Sequence, residues 1–555
     1  MGTFLNPGKN AFKEAVRSEI YVDKTDMIRH LNAVVGTKQK YVSVSRPRRF
    51  GKSMAADMIC AYYDRTAESR AVFENFRIAK GERDTADGNS ASWDAWLGHF
   101  DVVRIVMTRF FKKQFTVQEG LSRLQDLVIR EFRKTYPMVD YYNDHDLLQT
   151  VEDVYTTIDR QVVFVIDEWD AVFRIRPDDR DGQNEYLDFL RDLLKDNDRI
   201  ALAYMTGILP IKKYGEHSAL NMFTEYSMMA PRQFAPYTGF TDTEVRMLCS
   251  RYDMKYDDIA KWYDGYRVSD RIPTDKREAY RSGMYQGHVM ALYSPLSVVE
   301  SMTTGMIRNY WNKTESYEAL AEYIRMDYGG LKSAVALLMD GGRIRIDPSS
   351  YQNDMTTFHG RDDVFSLLIH LGYLGYDDST EEVFIPNREI LDEFRTSTKS
   401  EEWGSTFHSF SLSQEILKAT WNMEEEKVAE LLEKAHDQAA GITYNSEAAL
   451  SYAIQLAYYA AQKYYTTILE LDTGKGFADI VYLPSLAYQD KPVLLIELKY
   501  EKTAETALSQ IRRRHYPDRL QHYKGNILLV AVNYDREIKS DKEGFKHHTC
   551  LIRRA

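Results

Sequence analysis

A segment that could bind phosphate lies at residues 46–53, where RPRRFGKS follows the apolar run YVSVS and precedes a helical stretch. Backbone N–H groups at a helix start bind phosphate, a lysine adds charge for the β- and γ-phosphates, and a serine hydroxyl can coordinate Mg²⁺. Arg46 stands where the usual pattern has its first glycine. Ser53 is also a predicted Mg²⁺ ligand. The predicted nucleotide-binding residues of this loop are Arg49, Phe50, Gly51, Lys52 and Ser53.

A second apolar run, VVFVIDEWD at 162–170, ends in two acidic residues. Asp167 could hold Mg²⁺, and Glu168 could orient or deprotonate the attacking water. This order of motifs predicts an ATP site, and the alternative is an ordinary strand-to-helix turn with an acidic helix cap. Thr206 ends the next predicted strand, where a polar sensor of the γ-phosphate would lie. A strand-terminal threonine without that role fits the sequence equally well.

Two acidic side chains and a lysine that could act on a phosphodiester lie on two further predicted strands. Asp479 falls on one, and Glu497 and Lys499 fall on the next. Because residues i and i+2 of a strand point to the same face, Glu497 and Lys499 project together, within reach of Asp479. Two carboxylates can bind Mg²⁺, and the lysine can stabilise developing charge. The spacing predicts a metal-dependent nuclease site; the alternative is an inactive remnant or a chance pair of strand charges.

The motifs of the first 300 residues resemble those of the AAA-ATPase-like family, in which the phosphate loop also starts with arginine. The resemblance implies a P-loop ATPase domain, commonly followed by a PD-(D/E)XK nuclease-like domain, and it places Asp23 and Lys24 near the nucleotide. No arginine finger can be chosen from the sequence. The motifs that carry the resemblance are YVDKT (21–25), RPRRFGKS (46–53), VFVIDEWD (163–170), MTGIL (205–209), WYDGY (262–266) and YSPLSV (293–298).

Residues 446–535 look like the PD-(D/E)XK nuclease core. The resemblance implies that Glu447, near the start of the preceding helix, is the first acidic residue and a metal ligand together with Asp479 and Glu497. It also implies a catalytic role for Gln510 and a follow-on position at Tyr516. The basic run 512–515 could contact a phosphate backbone, or it could be a solvated helix end.

Short β-rich runs alternate with helical stretches between residues 40 and 210, which predicts a parallel α/β sheet. The middle region is mostly helical, and a helix at 362–378 followed by a short strand predicts a winged-helix-like lid. The four strands are predicted at 41–45, 99–107, 161–167 and 199–209. After residue 446 the predicted order is helix, three strands, helix and strand, at 446–463, 466–472, 477–483, 492–499, 503–515 and 526–533.

These patterns together predict an α/β protein of three domains. They are an AAA-like P-loop domain (1–240), a helical or winged-helix-like region (241–400), and a restriction-endonuclease-like domain with an N-terminal helical segment (401–555). The chain has 555 residues, 28% charged, which fits an ordered protein with several cores. A net charge of −11 disfavours general nucleic-acid binding, although it does not exclude a local basic patch.

The three cysteines lack ligand spacing, and we find neither a membrane-length apolar run nor a signal-peptide core. We therefore expect a cytoplasmic protein without a membrane partner. The favoured function is an ATP-regulated nuclease that uses ATP and Mg²⁺ and acts on DNA or RNA, in defence or mobile-element biology. Assembly into a homo-oligomer is compatible with this function. The alternative is a nucleotide-driven switch or scaffold whose C-terminal domain binds nucleic acid or a partner without cutting it.

Overall fold

The computed structural model divides into two compact units. The first comprises Met1–Tyr323 and Arg345–Phe394, and the second comprises Ile324–Ile344 and Arg395–Ala555. The predicted division into three domains stays a prediction. The structure describes residues 2–80, 92–211, 220–269, 289–311, 317–326, 328–353, 355–399, 401–438, 447–472, 477–485, 488–513, 526–535 and 547–555.

A parallel five-stranded sheet of order β2-β3-β4-β1-β5 forms the centre of the first unit. Its three central strands are buried along their whole length, because helices cover both faces and leave no polar side. This confirms the predicted α/β sheet and all four predicted strands. The strands are β1 (Tyr41–Ser45), β2 (Asp101–Val106), β3 (Val162–Asp167), β4 (Ile200–Gly207) and β5 (Thr224–Tyr226).

The helices before residue 310 surround this sheet or follow it. The long helix Val117–Thr135 begins at a capping box, in which Thr116 and Glu119 satisfy each other's backbone N–H groups. The α-helices are Asn10–Val16, Met27–Asn32, Lys52–Tyr63, Arg70–Phe73, Arg77–Lys80, Val117–Thr135, Leu147–Ile158, Ala171–Ile175, Arg180–Leu194, Asp242–Arg251, Tyr256–Tyr263 and Pro295–Thr304. The 3₁₀ helices are Met107–Arg109 and Arg232–Tyr237.

Two small three-stranded sheets, of order β6-β8-β7 and β10-β11-β9, complete the first unit, and β9 begins at Ile344, the last residue of a segment of the second unit. The helix Arg361–Leu371 ends at Gly372, whose φ of 89° is a left-handed conformation that suits glycine. A hairpin of β10 and β11 follows, so the helix predicted to reach residue 378 ends at Leu371, and the short strand predicted after it is present as β11. The remaining strands are β6 (Phe240–Thr241), β7 (Tyr266–Ser269), β8 (Val289–Tyr293), β9 (Ile344–Arg345), β10 (Gly375–Asp377) and β11 (Glu382–Phe384).

The second unit is built on a mixed sheet of order β12-β13-β14-β15-β16. Only β14 and β15 run parallel; the other neighbours are antiparallel. The predicted strand, strand, strand, helix, strand order is confirmed, and β16 adds an edge strand that was not predicted. The strands are β12 (Tyr465–Asp472), β13 (Phe477–Pro484), β14 (Val493–Tyr500), β15 (Ile527–Tyr534) and β16 (His548–Arg554).

The two faces of this sheet pack against different helices. Ile480 and Ile496 lie on the face covered by the helices between 401 and 457, whereas Val481 and Leu495 lie on the face covered by Ala504–Arg513. The remaining α-helices are Tyr317–Arg325, Leu331–Met339, Arg388–Ser397, Glu401–Trp421, Glu425–Gln438, Glu447–Ala457 and Ala504–Arg513, and the remaining 3₁₀ helices are Pro348–Ser350 and Tyr459–Lys463.

Among the residues that the structure describes, no helix is both long and apolar enough to cross a lipid bilayer. All three cysteines, Cys60, Cys249 and Cys550, are buried and unbridged.

Candidate functional site

The loop between β1 and the helix Lys52–Tyr63 lies at the carboxyl end of the central parallel strands. Gly51, immediately before the helix, has a φ of 84°. Lys52 is almost wholly buried, and its Nζ donates to the carbonyl oxygens of Arg46 at 3.0 Å and Pro47 at 2.7 Å. The ammonium thus sits inside the loop, above the first N–H groups of the helix. Strand, glycine and helix therefore form the arrangement that binds phosphate groups.

Arg46 explains how the loop forms without a glycine at its first position. Its side chain is fully buried and donates through Nη1 to the carbonyl oxygens of Ser45 and Tyr226, at 2.7 and 2.8 Å. Burial lowers the pKa of Arg46 to about 10. The guanidinium therefore ties the start of the loop to the end of β5.

Gly51→Ala tests the conformation of the loop. A Cβ at this position would meet no atom within 4 Å, so the cost comes from the left-handed backbone alone. We expect the variant to fold and to lose about 1 kcal/mol of unfolding free energy, measured by urea denaturation. Gly36→Ala is the matched control, because Gly36 is also left-handed and has open space around it but lies outside the loop. If ATP affinity falls in Gly51→Ala and not in Gly36→Ala, the loss comes from the conformation of the phosphate loop.

Asp167 ends β3 beside the phosphate loop and is 1% exposed. Its Oδ1 has no hydrogen-bond partner among the described residues, and its Oδ2 lies 3.7 Å from Nη2 of Arg104. Burial raises the pKa of Asp167, and the hydroxyl of Ser53 is the main group that opposes this rise. A buried carboxylate oxygen without a donor, next to a serine hydroxyl, fits a Mg²⁺ ion with oxygen ligands.

Glu168 follows Asp167 in a left-handed conformation, with a φ of 53°. Its Oε2 accepts from Nη2 of Arg174 at 3.3 Å, and the same guanidinium donates through Nε to Asp170 at 3.0 Å. Asp170 is fully buried and accepts from the N–H groups of Ile208 and Leu209, which fixes the turn after β4. Neither Arg174 nor Asp170 was predicted from the sequence, where the only signal is their i, i+4 spacing.

Thr206, Phe50 and Arg49 were also predicted to bind nucleotide, and the structure shows what surrounds each of them. Thr206 is fully buried, and its Oγ1 donates to the carbonyl of Val44 at 2.8 Å, so its hydroxyl is engaged within the sheet. The buried ring of Phe50 meets Tyr266 edge to face, which anchors the loop. Arg49 is exposed, with a φ of 63°. Their contacts with nucleotide stay predictions.

A cavity of about 810 Å³ adjoins the phosphate loop. This volume lies within the range of small-molecule sites. Lys24 lies on its wall and is paired with Glu244 at 2.6 Å, while Asp23 lies outside it and caps a turn by accepting from the N–H and hydroxyl of Thr25. The cavity can therefore hold phosphates at the loop and a flat aromatic group beyond it. Its apolar wall includes Phe12, Ile20, Val22, Met58, Phe240 and Leu296.

In the second unit, strand register brings the predicted acidic residues to one face. The antiparallel pairs Val481–Leu495 and Ile480–Ile496 continue directly to Asp479 opposite Glu497. Asp479, Glu497 and Lys499 therefore share the face of Val481 and Leu495, which the helix Ala504–Arg513 covers.

Direct contacts connect these side chains. Nζ of Lys499 lies 3.3 Å from Oε1 of Glu497 and donates to the carbonyl of Leu498 at 2.8 Å. Oδ2 of Asp479 accepts from the N–H of Leu498 at 2.7 Å, and Gln510 donates from its helix to Glu497. Glu497 is fully buried, and such a buried carboxylate needs a cation close by. The lysine and a metal ion held with Asp479 would both meet that need.

Three predictions for this site concern side chains that the structure does not describe. Glu447 is the first residue of the helix Glu447–Ala457, but its side chain lies outside the described residues. Tyr516 and the side chains of the basic run 512–515 also lie outside them. The roles of Glu447 as metal ligand and of the basic run as phosphate contact stay predictions.

Comparison with known proteins assigns both regions. Residues 8–215 match the family described as Predicted AAA-ATPase, and residues 450–543 match the PD-(D/E)XK nuclease superfamily. An uncharacterized protein in the vnfD 5′ region of Azotobacter chroococcum mcd 1 is 23% identical over 301 residues, which cover 53% of this chain and 50% of that protein. The chain thus matches about half the length of this relative.

Two solved structures from Aeropyrum pernix show weak likeness. The ORC1 protein in complex with DNA has a TM-score of 0.25 at 10% identity and covers 71% of this chain and 98% of that one. The ORC2 protein in its ADP form has a TM-score of 0.26 at 10% identity, with coverage of 71% and 99%. The two sequence matches, which fall on the parallel sheet and on the mixed sheet, show an AAA-ATPase-like domain at residues 8–215 and a PD-(D/E)XK nuclease-superfamily domain at residues 450–543.

Proposed function

We propose that this protein hydrolyses ATP at the phosphate loop and cuts DNA or RNA at Asp479 and Glu497, with Mg²⁺ at both sites and with the state of the nucleotide controlling the cut. The observation that carries the nuclease half is that Asp479, Glu497 and Lys499 share one face of the sheet, and that the helix covering this face brings Gln510 to Glu497. A pairing of ATPase and nuclease domains suits defence against foreign nucleic acid or mobile-element biology, and this context rests on the domain pairing alone.

At the ATP site, each side chain has a separate task. The ammonium of Lys52 would exchange the carbonyls of Arg46 and Pro47 for β- and γ-phosphate oxygens, since both are acceptors of the same kind. Ser53 and Asp167 would hold Mg²⁺. Glu168 would take a proton from the attacking water, whose oxygen bonds to the γ-phosphorus as the bond to the β–γ bridging oxygen breaks. Arg174 holds Glu168 in place at 3.3 Å.

At the nuclease site, water attacks the phosphorus of a phosphodiester, and the bond from phosphorus to one ester oxygen breaks. A divalent ion bound by Asp479 and Glu497, with Glu447 as a further ligand, would activate that water and polarise the phosphate. Lys499, 6% exposed, lies where its positive charge can stabilise the phosphoryl oxygens as negative charge builds up. Gln510 orients Glu497 through their hydrogen bond.

A cleavage panel tests the proposal. Single- and double-stranded DNA and RNA are incubated with the full chain in EDTA, Mg²⁺ or Mn²⁺, with and without ATP. We expect cleavage only with a divalent ion, because two carboxylates alone would repel the phosphodiester. If none of the four substrates is cut under any condition while ATP is hydrolysed, the nuclease half fails, and a nucleotide-driven switch or scaffold replaces it.

Glu168→Gln separates binding of ATP from its hydrolysis. The amide keeps the shape and the hydrogen bond with Arg174 but cannot accept the proton of water. We expect the rate of phosphate release to fall at least about 100-fold, with ATP affinity changed less than about 3-fold. Glu185→Gln, on an exposed position of the helix Arg180–Leu194, is the control and should leave both unchanged. Wild-type turnover in Glu168→Gln would assign the base to another group.

The pH dependence of ATP binding follows from Lys52. Burial lowers the pKa of its ammonium to about 8, and the charges of Asp170 and Asp167 only partly oppose this. Bound phosphates favour the charged form and so raise that pKa again. Near pH 8 ATP binding should therefore take up protons, and affinity should fall as pH rises above 8. Calorimetry in buffers of different ionisation enthalpy measures the uptake, which should be absent in Lys52→Ala. Equal heats in all buffers at pH 8 would contradict this role.

A further inference from the structure

A second cluster of metal-ligating side chains lies in the second unit, away from the nuclease residues. Glu433 and His436 are three residues apart on the helix Glu425–Gln438, so both point from the same side of it. His548 starts the edge strand β16. Ligand atoms of Glu433, His436 and His548 all lie within 4.8 Å of one another. Three residues distant in sequence thus present one carboxylate and two imidazoles to a single point.

A third imidazole adjoins this point. Nδ1 of His547 lies 2.7 Å from one oxygen of Glu433, and Nδ1 of His548 lies 2.7 Å from the other. The backbone N–H groups of both histidines also donate to Glu433, at 3.0 and 3.1 Å. The carboxylate thus fixes the end of β16 against the helix and orients both rings.

The carboxylate at the centre of the cluster is ionised. Burial alone would raise the pKa of Glu433, but hydrogen bonds from His548 and His547 outweigh it and lower the pKa to about 2. The ring of His436 lies 5.6 Å from that of His548 and 6.4 Å from that of His547, centroid to centroid. A carboxylate that only joined a helix to a strand would need one imidazole. Two imidazoles and one carboxylate whose ligand atoms lie within 4.8 Å of one another, with a third imidazole beside the carboxylate, instead form a donor set that zinc favours.

The cluster is distinct from the nuclease residues. Tyr534 of β15 pairs with His548, and its ring lies 5.0 Å from that histidine. Tyr534 belongs to the core on the sheet face that the helices between 401 and 457 cover. Glu497 lies on the other face, together with Leu495, under the helix Ala504–Arg513. The two groups therefore lie on opposite faces of one sheet.

We propose that Glu433, His436 and His548, with His547 as a fourth donor, bind one Zn²⁺ ion that ties the helix Glu425–Gln438 to the edge strand β16. The ion would have a structural role, because all of its ligands come from the protein and the cluster lies behind the nuclease face. Its effect on cutting would be indirect: β16 pairs with β15, and β15 pairs with the strand that carries Glu497.

The test measures zinc binding to the full chain without nucleotide, after EDTA treatment and dialysis. Asp479→Ala serves as the background, so that the nuclease carboxylates cannot account for uptake. We expect one Zn²⁺ per chain by calorimetry and elemental analysis, and ligand-field bands of four-coordinate Co²⁺ when cobalt is used instead. His436→Gln and His548→Gln should each weaken zinc binding more than about 100-fold, since loss of an outer-shell partner alone costs 10- to 100-fold.

His408→Gln is the matched control, because His408 is an exposed histidine of the same unit. It should bind zinc as the background does. His548 is buried, so zinc binding by His548→Gln is interpreted only if the circular dichroism of that variant matches the background. If it does not, His436→Gln, at a half-buried position, is the variant that tests the proposal. Failure of the folded background to bind zinc overturns the proposal, and so does equal zinc affinity in His436→Gln. Neither result depends on cleavage, so the proposed nuclease function is tested separately.

Discussion

We expect Asp479→Ala to abolish metal-dependent cleavage and to leave ATP hydrolysis at the wild-type rate. The substitution removes a carboxylate that faces Glu497 across the strand pair, and one acidic ligand fewer leaves the divalent ion weakly held. Because metal activation of water and phosphate supplies several kcal/mol, we expect the rate of cutting to fall at least about 1,000-fold. The measurement is the initial rate on the substrate that the wild type cuts best, with Mg²⁺ varied.

The same variant has a structural consequence that must be controlled. Asp479 accepts from the N–H of Leu498 at 2.7 Å, so alanine leaves that donor without its carboxylate. We expect a loss of about 1–3 kcal/mol in the unfolding free energy. Asp479→Asn retains an oxygen for this N–H and should restore most of the stability without restoring cleavage. Asp490 is an exposed aspartate paired with Lys491, so Asp490→Ala is the control for effects that any exposed aspartate-to-alanine substitution would have. Cleavage by Asp479→Asn at the wild-type rate would remove the residue from the site.

The central sheet of the first unit was predictable because most residues of its four longer strands are apolar. A parallel strand buried on both faces is apolar along most of its length, as Val162–Asp167 is before its terminal aspartate, and helices of suitable length separate the runs. β5 was not predicted because it has only three residues, of which Thr224 and Glu225 are polar and only partly buried. β16 was not predicted because only three of its seven residues, Cys550, Leu551 and Ile552, are apolar, and its pairing with β15 spans an intervening segment.

In the candidate sites, too, local features could be predicted from the sequence and tertiary contacts could not. Residues close together in sequence, such as Lys52 and Ser53 or Glu497 and Lys499, could be predicted from their local spacing. Contacts that depend on tertiary folding could not be. Lys24 meets Glu244 only because distant segments fold together. The engagement of the Thr206 hydroxyl with Val44 likewise depends on strand neighbours that are far apart in sequence.

We expect Lys52→Ala to remove ATP binding while the protein stays folded. The ammonium is a buried positive charge within the phosphate loop, and it makes two hydrogen bonds there that phosphate oxygens would take over. Charge-assisted bonds of this kind contribute about 1.5–3 kcal/mol each. We therefore expect ATP affinity to fall at least about 100-fold, equivalent to about 2.7 kcal/mol, when measured by calorimetry with Mg²⁺.

A measurement of the unfolding free energy shows whether the loss of ATP affinity in Lys52→Ala is a consequence of unfolding. Burial lowers the pKa of Lys52, so the charged lysine is itself held at a cost in the folded chain. Alanine relieves that cost and leaves two carbonyls without their donor, so the unfolding free energy should change by no more than about 1 kcal/mol. Lys38→Ala, an exposed lysine shortly before β1, is the matched control and should bind ATP as the wild type does. If cleavage is gated by ATP, Lys52→Ala also loses the ATP dependence of cutting while its metal dependence remains. An Lys52→Ala variant that binds ATP with wild-type affinity would place the nucleotide elsewhere in the chain.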